Sequence, residues 1–428
     1  MYLYFSLTMK KIFLAILAVV LAVTTMSAQS PLAGDWSGTL NVMGQKLTLV
    51  FHISQDTSGN WKADMDVPEQ GAKGVPATVS SADESSIVVD VPAIGAKYSG
   101  KLSDGALKGD FNQMGMKFPL ELTKAAVKAA NRPQNPVPPF PYTTREVTFV
   151  NEKAGATLAG TLTYPIGYEA GKTPVAIMVT GSGAQNRDEE IFDHKPFAVI
   201  ADYLARHGIA TLRYDDRGTG ESKGGTDVEA TTVDLADDAA AGIDFLRKSG
   251  EFGKVGIIGH SEGGLISFIL GASNKVDFIV SLAGPATKGE TVLISQFRQK
   301  IKLSPMAAMV PDLDAAAKMT FDKLVESNKS EWMKAFIEFD PTPYIQATKC
   351  PVLALNGSLD SQVLASVNVQ PMMEALKENK NAKVVEIEGL NHLFQHCTTG
   401  AGEEYYTIEE TIAPEVLTLI ADFINNIK

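Results

Sequence analysis

Three residues of this chain have the types and the order that an acyl transfer needs: Ser261, Asp360 and His392. A serine hydroxyl is a poor nucleophile at neutral pH, so an imidazole must take its proton as it attacks. A carboxylate must then fix the histidine tautomer and stabilise the imidazolium. Ser261 sits in Gly259-His260-Ser261-Glu262-Gly263, a G-x-S-x-G pentapeptide that follows the apolar run Val255-Gly256-Ile257-Ile258. By itself the pentapeptide is weak evidence, because its loose definition is met by chance. A strand before it and a helix after it, from Gly264 to Leu270, turn it into a strand–turn–helix elbow that lifts the hydroxyl out of the chain.

The partners follow strands of their own. Asp360 comes after Val352-Leu353-Ala354-Leu355 by way of Asn356-Gly357-Ser358-Leu359, and His392 after Val384-Val385-Glu386-Ile387 by way of Glu388-Gly389-Leu390-Asn391. His396 competes for the histidine role, but His392 is the one that closes the strand–loop unit. Asp360 could also be a plain loop carboxylate. A tetrahedral intermediate needs backbone donors for its oxyanion. One is expected from the amide of Glu262, the other from Thr180-Gly181-Ser182-Gly183, where either Ser182 or Gly183 would serve. The alternative for those glycines is an ordinary tight turn.

Two charged stretches remain. Arg213 to Ser222 reads mainly as a brace between loops. Gln185 to Glu190 reads as a solvated charged loop, with the entrance of a cleft as the second reading. The chain has neither G-x-x-x-x-G-K-[ST] nor H-E-x-x-H, and Gly218-Thr219-Gly220 lacks the third glycine of a dinucleotide fingerprint, so no cofactor and no metal are expected.

The elements that would position these residues alternate. From 144 to 428, apolar strands separated by helical segments imply a mainly parallel sheet with helices on both faces, an α/β fold that places reactive residues at the carboxyl ends of its strands. A mostly helical insertion at about 285–345 interrupts the rhythm and is expected to cap the site. Its methionines read as packing rather than substrate contacts. Residues 29–125 read instead as short strands divided by turns such as Ser58-Gly59-Asn60 and Asp104-Gly105, an antiparallel barrel or sandwich. Between the two lies a proline-rich spacer, 126–143.

Residues 1–28 have the layout of a secretory signal peptide. Lys10-Lys11 precede the apolar stretch from Ile12 to Val23 and a small polar run that ends at Ala28, and Met9 is a second candidate initiator. The apolar stretch is short for a membrane span. A periplasmic or extracellular location without stable membrane insertion is therefore expected. An uncleaved anchor is the alternative. Cys350 and Cys397 fall at opposite ends of the sheet, which favours two free thiols. The formal net charge of −12, with no basic patch or arginine-rich run to balance it, argues against a nucleic-acid partner. Homo-oligomerisation stays open.

These motifs together resemble the α/β-hydrolase superfamily from about Arg145 onward. Gly181 to Glu189, Asp216 to Ser222 and Gly259 to Gly264 narrow the resemblance to secreted bacterial carboxylesterases of the EstD type, which also carry an extra N-terminal domain. The resemblance implies a triad of Ser261, Asp360 and His392 acting on a small-molecule ester. The same broad group includes serine peptidases. An exported aminopeptidase or dipeptidyl peptidase is thus the alternative, with Glu262, Glu189 and Glu190 as candidate amine-binding carboxylates. In a third reading the hydrolase fold is a vestige within a binding protein. The segment Asp66 to Gly71 is similar to modules found ahead of such hydrolases and names no activity.

Overall fold

The computed structural model describes residues 30–42, 45–56, 59–124, 131–225, 230–304 and 307–427. The signal-peptide expectation for 1–28 lies outside the described residues. The chain divides into two compact units near residue 128.

The first unit is a closed antiparallel barrel of eight strands in sequence order. They are β1 (Gly34–Val42), β2 (Gln45–Gln55), β3 (Trp61–Val67), β4 (Ala72–Ala82), β5 (Ser86–Val91), β6 (Ala96–Ser103), β7 (Ala106–Gln113) and β8 (Met116–Thr123). Alternation builds the interior. In β5, Ile87, Val89 and Val91 are buried while their neighbours are less so. The lumen is filled by Trp36, Phe51, Tyr98 and Phe111, with the rings of Phe51 and Tyr98 stacked at 5.6 Å. The buried polar ends are satisfied: Trp36 Nε1 donates to the Leu32 carbonyl at 2.8 Å and the Tyr98 hydroxyl to that of Leu107 at 2.8 Å. β1 pairs with β8 to close the barrel. Gly38 lies at this seam, where a Cβ would collide with the Glu121 carbonyl.

The second unit holds an eight-stranded sheet in the order β16-β15-β14-β13-β11-β12-β10-β9. β9 (Thr143–Asn151) and β10 (Ala156–Tyr164) form an antiparallel hairpin on one edge. The other six strands run parallel to one another: β11 (Val175–Val179), β12 (Ala210–Tyr214), β13 (Val255–His260), β14 (Ile279–Leu282), β15 (Val352–Gly357) and β16 (Ala382–Ile387). The central strands are buried on both faces. In β11, Ile177 points into one core while Ala176 and Met178 point into the other.

Helices α1 (Pro196–Arg206) and α9 (Pro414–Asn425) cover one face. On the other lie α2 (Thr232–Ser249), α3 (Glu262–Ala272), α7 (Thr342–Ala347) and α8 (Ala365–Ala375). Between β14 and β15 the chain makes α4 (Gly289–Leu303), α5 (Leu313–Ser327) and α6 (Glu331–Glu338) before α7 returns to pack on α3. Among the described residues, no helix is long and apolar enough to cross a membrane.

Part of the proline-rich stretch is fastened to this second unit. The Arg132 guanidinium donates to the carbonyls of Phe192, Tyr406 and Ile408 at 2.6–3.1 Å. Gln134 and Asn135 donate to those of Ile412 and Asp193. Proline has no backbone N–H to donate, and the polar side chains beside the prolines, Arg132, Gln134 and Asn135, provide these contacts.

Candidate active site

Strand β13 ends at His260, and Ser261 turns the chain into α3 with φ 54° and ψ −117°, a conformation that a residue with a side chain adopts only under strain. The flanking glycines are required by space. A Cβ at Gly259 would collide with the Gly263 carbonyl, and one at Gly263 with that of Val179. The turn therefore packs backbone against backbone at both glycines.

The loops after β15 and β16 bring Asp360 and His392 together. His392 Nδ1 lies 2.8 Å from Asp360 Oδ2, and both residues are buried. Asp360 is itself oriented: its Oδ1 accepts the amides of Gln362 (2.8 Å) and Val363 (2.9 Å), and Asn356 Nδ2 donates to Oδ2 at 3.3 Å. His396, the competing histidine, is half-exposed and faces Glu410 and Glu415 instead.

Ser261 and His392 line one cavity of about 300 Å³. Its walls come from Gly181 and Ser182, from the loops that carry the two residues, and from the insertion, through Val292, Leu293, Trp332 and Phe336. Trp332 and Phe336 stack at 5.0 Å on α6. The Glu262 amide is at the first position of α3, where no intrahelical acceptor exists. Ser182 lines the cavity and Gly183 is not among its lining residues, while the Gly181 amide is taken by Glu189 Oε1 at 2.8 Å.

The stretch from Gln185 to Glu190 departs from the solvated loop expected. Arg187 bridges Asp215, Glu221 and Glu146, Asp188 pairs with Arg213, and Glu189 is buried. The Asp215 hydrogen bonds hold the Arg187 guanidinium more firmly charged than usual. The Arg213–Ser222 stretch acts as the brace it was read to be: Asp216 accepts from Thr180 Oγ1 and from the Gln185 amide, and Arg217 pairs with Asp238 at 2.6 Å.

Of the three carboxylates considered for an amine, Glu262 is buried and already accepts from Thr232 Oγ1 (2.5 Å) and Trp332 Nε1 (2.9 Å). Glu189 is engaged with Gly181 and His260, and Glu190 is exposed, with Lys195 3.6 Å away. Both cysteines are free, and burial pushes each thiol up to about 11.

Sequence reasoning passed over His260, although it adjoins the nucleophile. Its Nδ1 lies 2.9 Å from Glu189 Oε1 and its Nε2 3.0 Å from the His392 carbonyl. The signal available was a histidine inside the elbow, but the acid it meets is 71 residues away.

Comparisons with known proteins find similarity to hydrolases. Residues 194–395, a span that contains Ser261, Asp360 and His392, match the family described as Hydrolase_4: Serine aminopeptidase, S33. The esterase EstD of Thermotoga maritima is 27% identical over 245 residues, which are 55% of this chain and 58% of that protein. The chain thus spans under two thirds of the length of this curated relative. Among solved structures, the Pyrococcus furiosus esterase Pf2001 aligns with a TM-score of 0.46 at 17% identity, covering 71% of this chain and 99% of that one. Est1E of Butyrivibrio proteoclasticus aligns with a TM-score of 0.41 at 19% identity over 66% of this chain and 99% of its own. With its mainly parallel sheet, helices on both faces and a serine turn between β13 and α3, the second unit of this chain has the α/β-hydrolase fold.

Proposed function

We propose that the chain hydrolyses small to medium carboxylic esters through an acyl-enzyme on Ser261. The observation that carries the reading is a strained serine sharing one cavity with a histidine whose Nδ1 is held by a buried carboxylate. Asp360 keeps the Nδ1 proton on His392 and leaves Nε2 to accept the Ser261 proton as Oγ attacks the ester carbonyl. The C–O bond to the alcohol then breaks, and the leaving oxygen takes that proton from His392. Water repeats the sequence, with His392 as base and then acid, and frees the carboxylic acid and Ser261. The amides of Glu262 and Ser182 are the proposed oxyanion donors, each worth about 3–4 kcal/mol of barrier in comparable sites.

Two features favour esters over the peptidase reading, to which the matched family's description also points. The wall contributed by the insertion is mostly apolar and aromatic, through Val292, Leu293, Trp332 and Phe336, with the uncharged Gln296 beside them, and it suits a neutral group. The two acids that line the cavity, Glu189 and Glu262, are already hydrogen-bonded to protein donors, so neither is free to receive an ammonium without giving up a partner. Export by the segment 1–28 belongs to the same proposal and rests on its layout of charge, apolar core and small residues.

The test is hydrolysis of a p-nitrophenyl ester series, acetate to decanoate, beside aminoacyl and dipeptidyl p-nitroanilides, with Ser261→Ala as the blank. Turnover of esters that vanishes in the blank is expected. Preferential cleavage of the anilides would replace the esterase with a peptidase, and turnover surviving in Ser261→Ala would remove the mechanism altogether.

A further inference from the structure

Three loops must hold still together for the proposed chemistry: the one that offers the oxyanion amide, the elbow that carries Ser261, and the one that carries His392. One buried side-chain pair touches all three. Glu189 Oε1 accepts the Gly181 amide of the first loop at 2.8 Å and meets His260 Nδ1 of the elbow at 2.9 Å. His260 Nε2 in turn reaches the backbone carbonyl of His392 at 3.0 Å. The two imidazole rings lie 4.7 Å apart. Both members are buried, and Glu189 is itself left-handed with φ 52°, a backbone strain like that at Ser261.

Protonation follows from the partners. A carbonyl oxygen can only accept, so His260 Nε2 must carry a proton. An oxygen that already receives the Gly181 amide is best satisfied as carboxylate, so Nδ1 must carry one too. Loss of either proton breaks one link of the chain.

We propose that Glu189 and His260 form a second acid–histidine pair, an ion pair that positions the oxyanion loop, the nucleophile elbow and the catalytic histidine relative to one another. It rests on the triad reading above. Neither residue touches the reacting atoms in this role; both are positioning residues. The charged groups facing His260 are Glu189, from the loop before α1, and Asp360, beyond the ring of His392, from the loop after β15. Burial alone would depress the His260 imidazolium, but the Glu189 carboxylate outweighs it, assisted by the His392 carbonyl and Asp360, and the group is raised above its usual 6.5. The organised form is therefore the protonated one. It is lost as pH rises through the elevated value, giving an alkaline limb that the triad alone does not produce.

Glu189→Gln removes the charge while keeping the shape, and with it the force that holds the imidazolium against burial. We expect kcat to fall roughly 10- to 100-fold with KM within about twofold, the signature of misplaced reacting groups rather than lost binding. The alkaline limb should move to lower pH. Glu189→Gln/His260→Gln should lose little more than either single change, since both break the same chain. The exposed Glu152→Gln should leave the rates and the profile as they were. The wild-type protein supplies a readout that does not depend on a variant folding. With [15N]histidine labelling, the chain's six histidines give few enough signals for His260 to be assigned, and both of its ring nitrogens should be protonated at pH 7.

A single neutral tautomer of His260 at pH 7 overturns the proposal. So does a Glu189→Gln enzyme with unchanged kcat and pH profile, provided Ser261→Ala is inactive. If Ser261→Ala is itself active, the triad reading has failed instead.

Discussion

Asp360→Asn is nearly isosteric, yet every contact the wild-type carboxylate makes is with a donor. An amide in its place has one oxygen and one NH2, so one side must oppose donors. Two backbone amides at 2.8 and 2.9 Å fix the oxygen at the Oδ1 position. The NH2 then falls where Oδ2 stood, 2.8 Å from His392 Nδ1. Two donors cannot share that line, so His392 shifts its proton to Nε2 and offers Ser261 a hydrogen instead of a lone pair. The serine keeps its own proton. The wrong tautomer costs about 10⁴ in kcat, or about 5 kcal/mol of barrier, in triads of this kind. The assay is steady-state hydrolysis of a short p-nitrophenyl ester at pH 7, with fluorophosphonate labelling of Ser261 as an independent probe. Both should decline together while KM and the unfolding transition stay close to wild type. An Asp360→Asn protein within tenfold of the wild-type kcat would refute the tautomer argument and the role given to Asp360.

Two further outcomes follow from the cavity and the core. Trp332→Ala removes the stacked partner of Phe336 and one donor to the Glu262 carboxylate, so KM for aromatic and medium-chain esters should rise about tenfold with little change for acetate; equal effects across the series would argue against an acyl-binding wall. His194 is fully buried between Thr411 and Tyr405, and burial pushes it down to about 4. The unfolded chain then binds the extra proton first, so stability is complete above pH 6.5 and is lost as pH falls from 6.5 towards 4. Urea midpoints across that range should fall less steeply in His194→Gln, and parallel slopes would exclude the histidine as the cause.

The proposed triad could be read from the chain because each member ends a strand–loop unit whose hydrophobic run is local. The choice of His392 over His396 followed from the same local logic, and the pairing of His396 with Glu410 and Glu415 accounts for the rejected candidate. What stayed hidden depends on distant partners. Glu189 belongs to a charged run that looks solvated, and only the fold places its carboxylate against an amide and an imidazole. Ser182 could not be separated from Gly183 in sequence, since the distinction rests on which of them lines the cavity. Barrel against sandwich was likewise undecidable for the first unit. Alternation reports which face is buried, whereas closure depends on β1 meeting β8 across the whole unit.

The clasp formed by Arg132 and Gln134 separates two boundaries that are easily confused. In the sequence, the break between modules lies in the run of prolines. In the folded chain, the piece that could be moved intact into another gene begins before that run. A fragment cut after Pro141 keeps every strand of the second unit's sheet but strips the carbonyls of Phe192, Tyr406, Ile408 and Ile412 of donors that reach them from upstream. Each lost hydrogen bond costs about 1 kcal/mol. The losses converge on the segment that encloses His194. A recombination event joining the chains at residue 131 would carry its own fastening, and one joining them at the prolines would leave it behind.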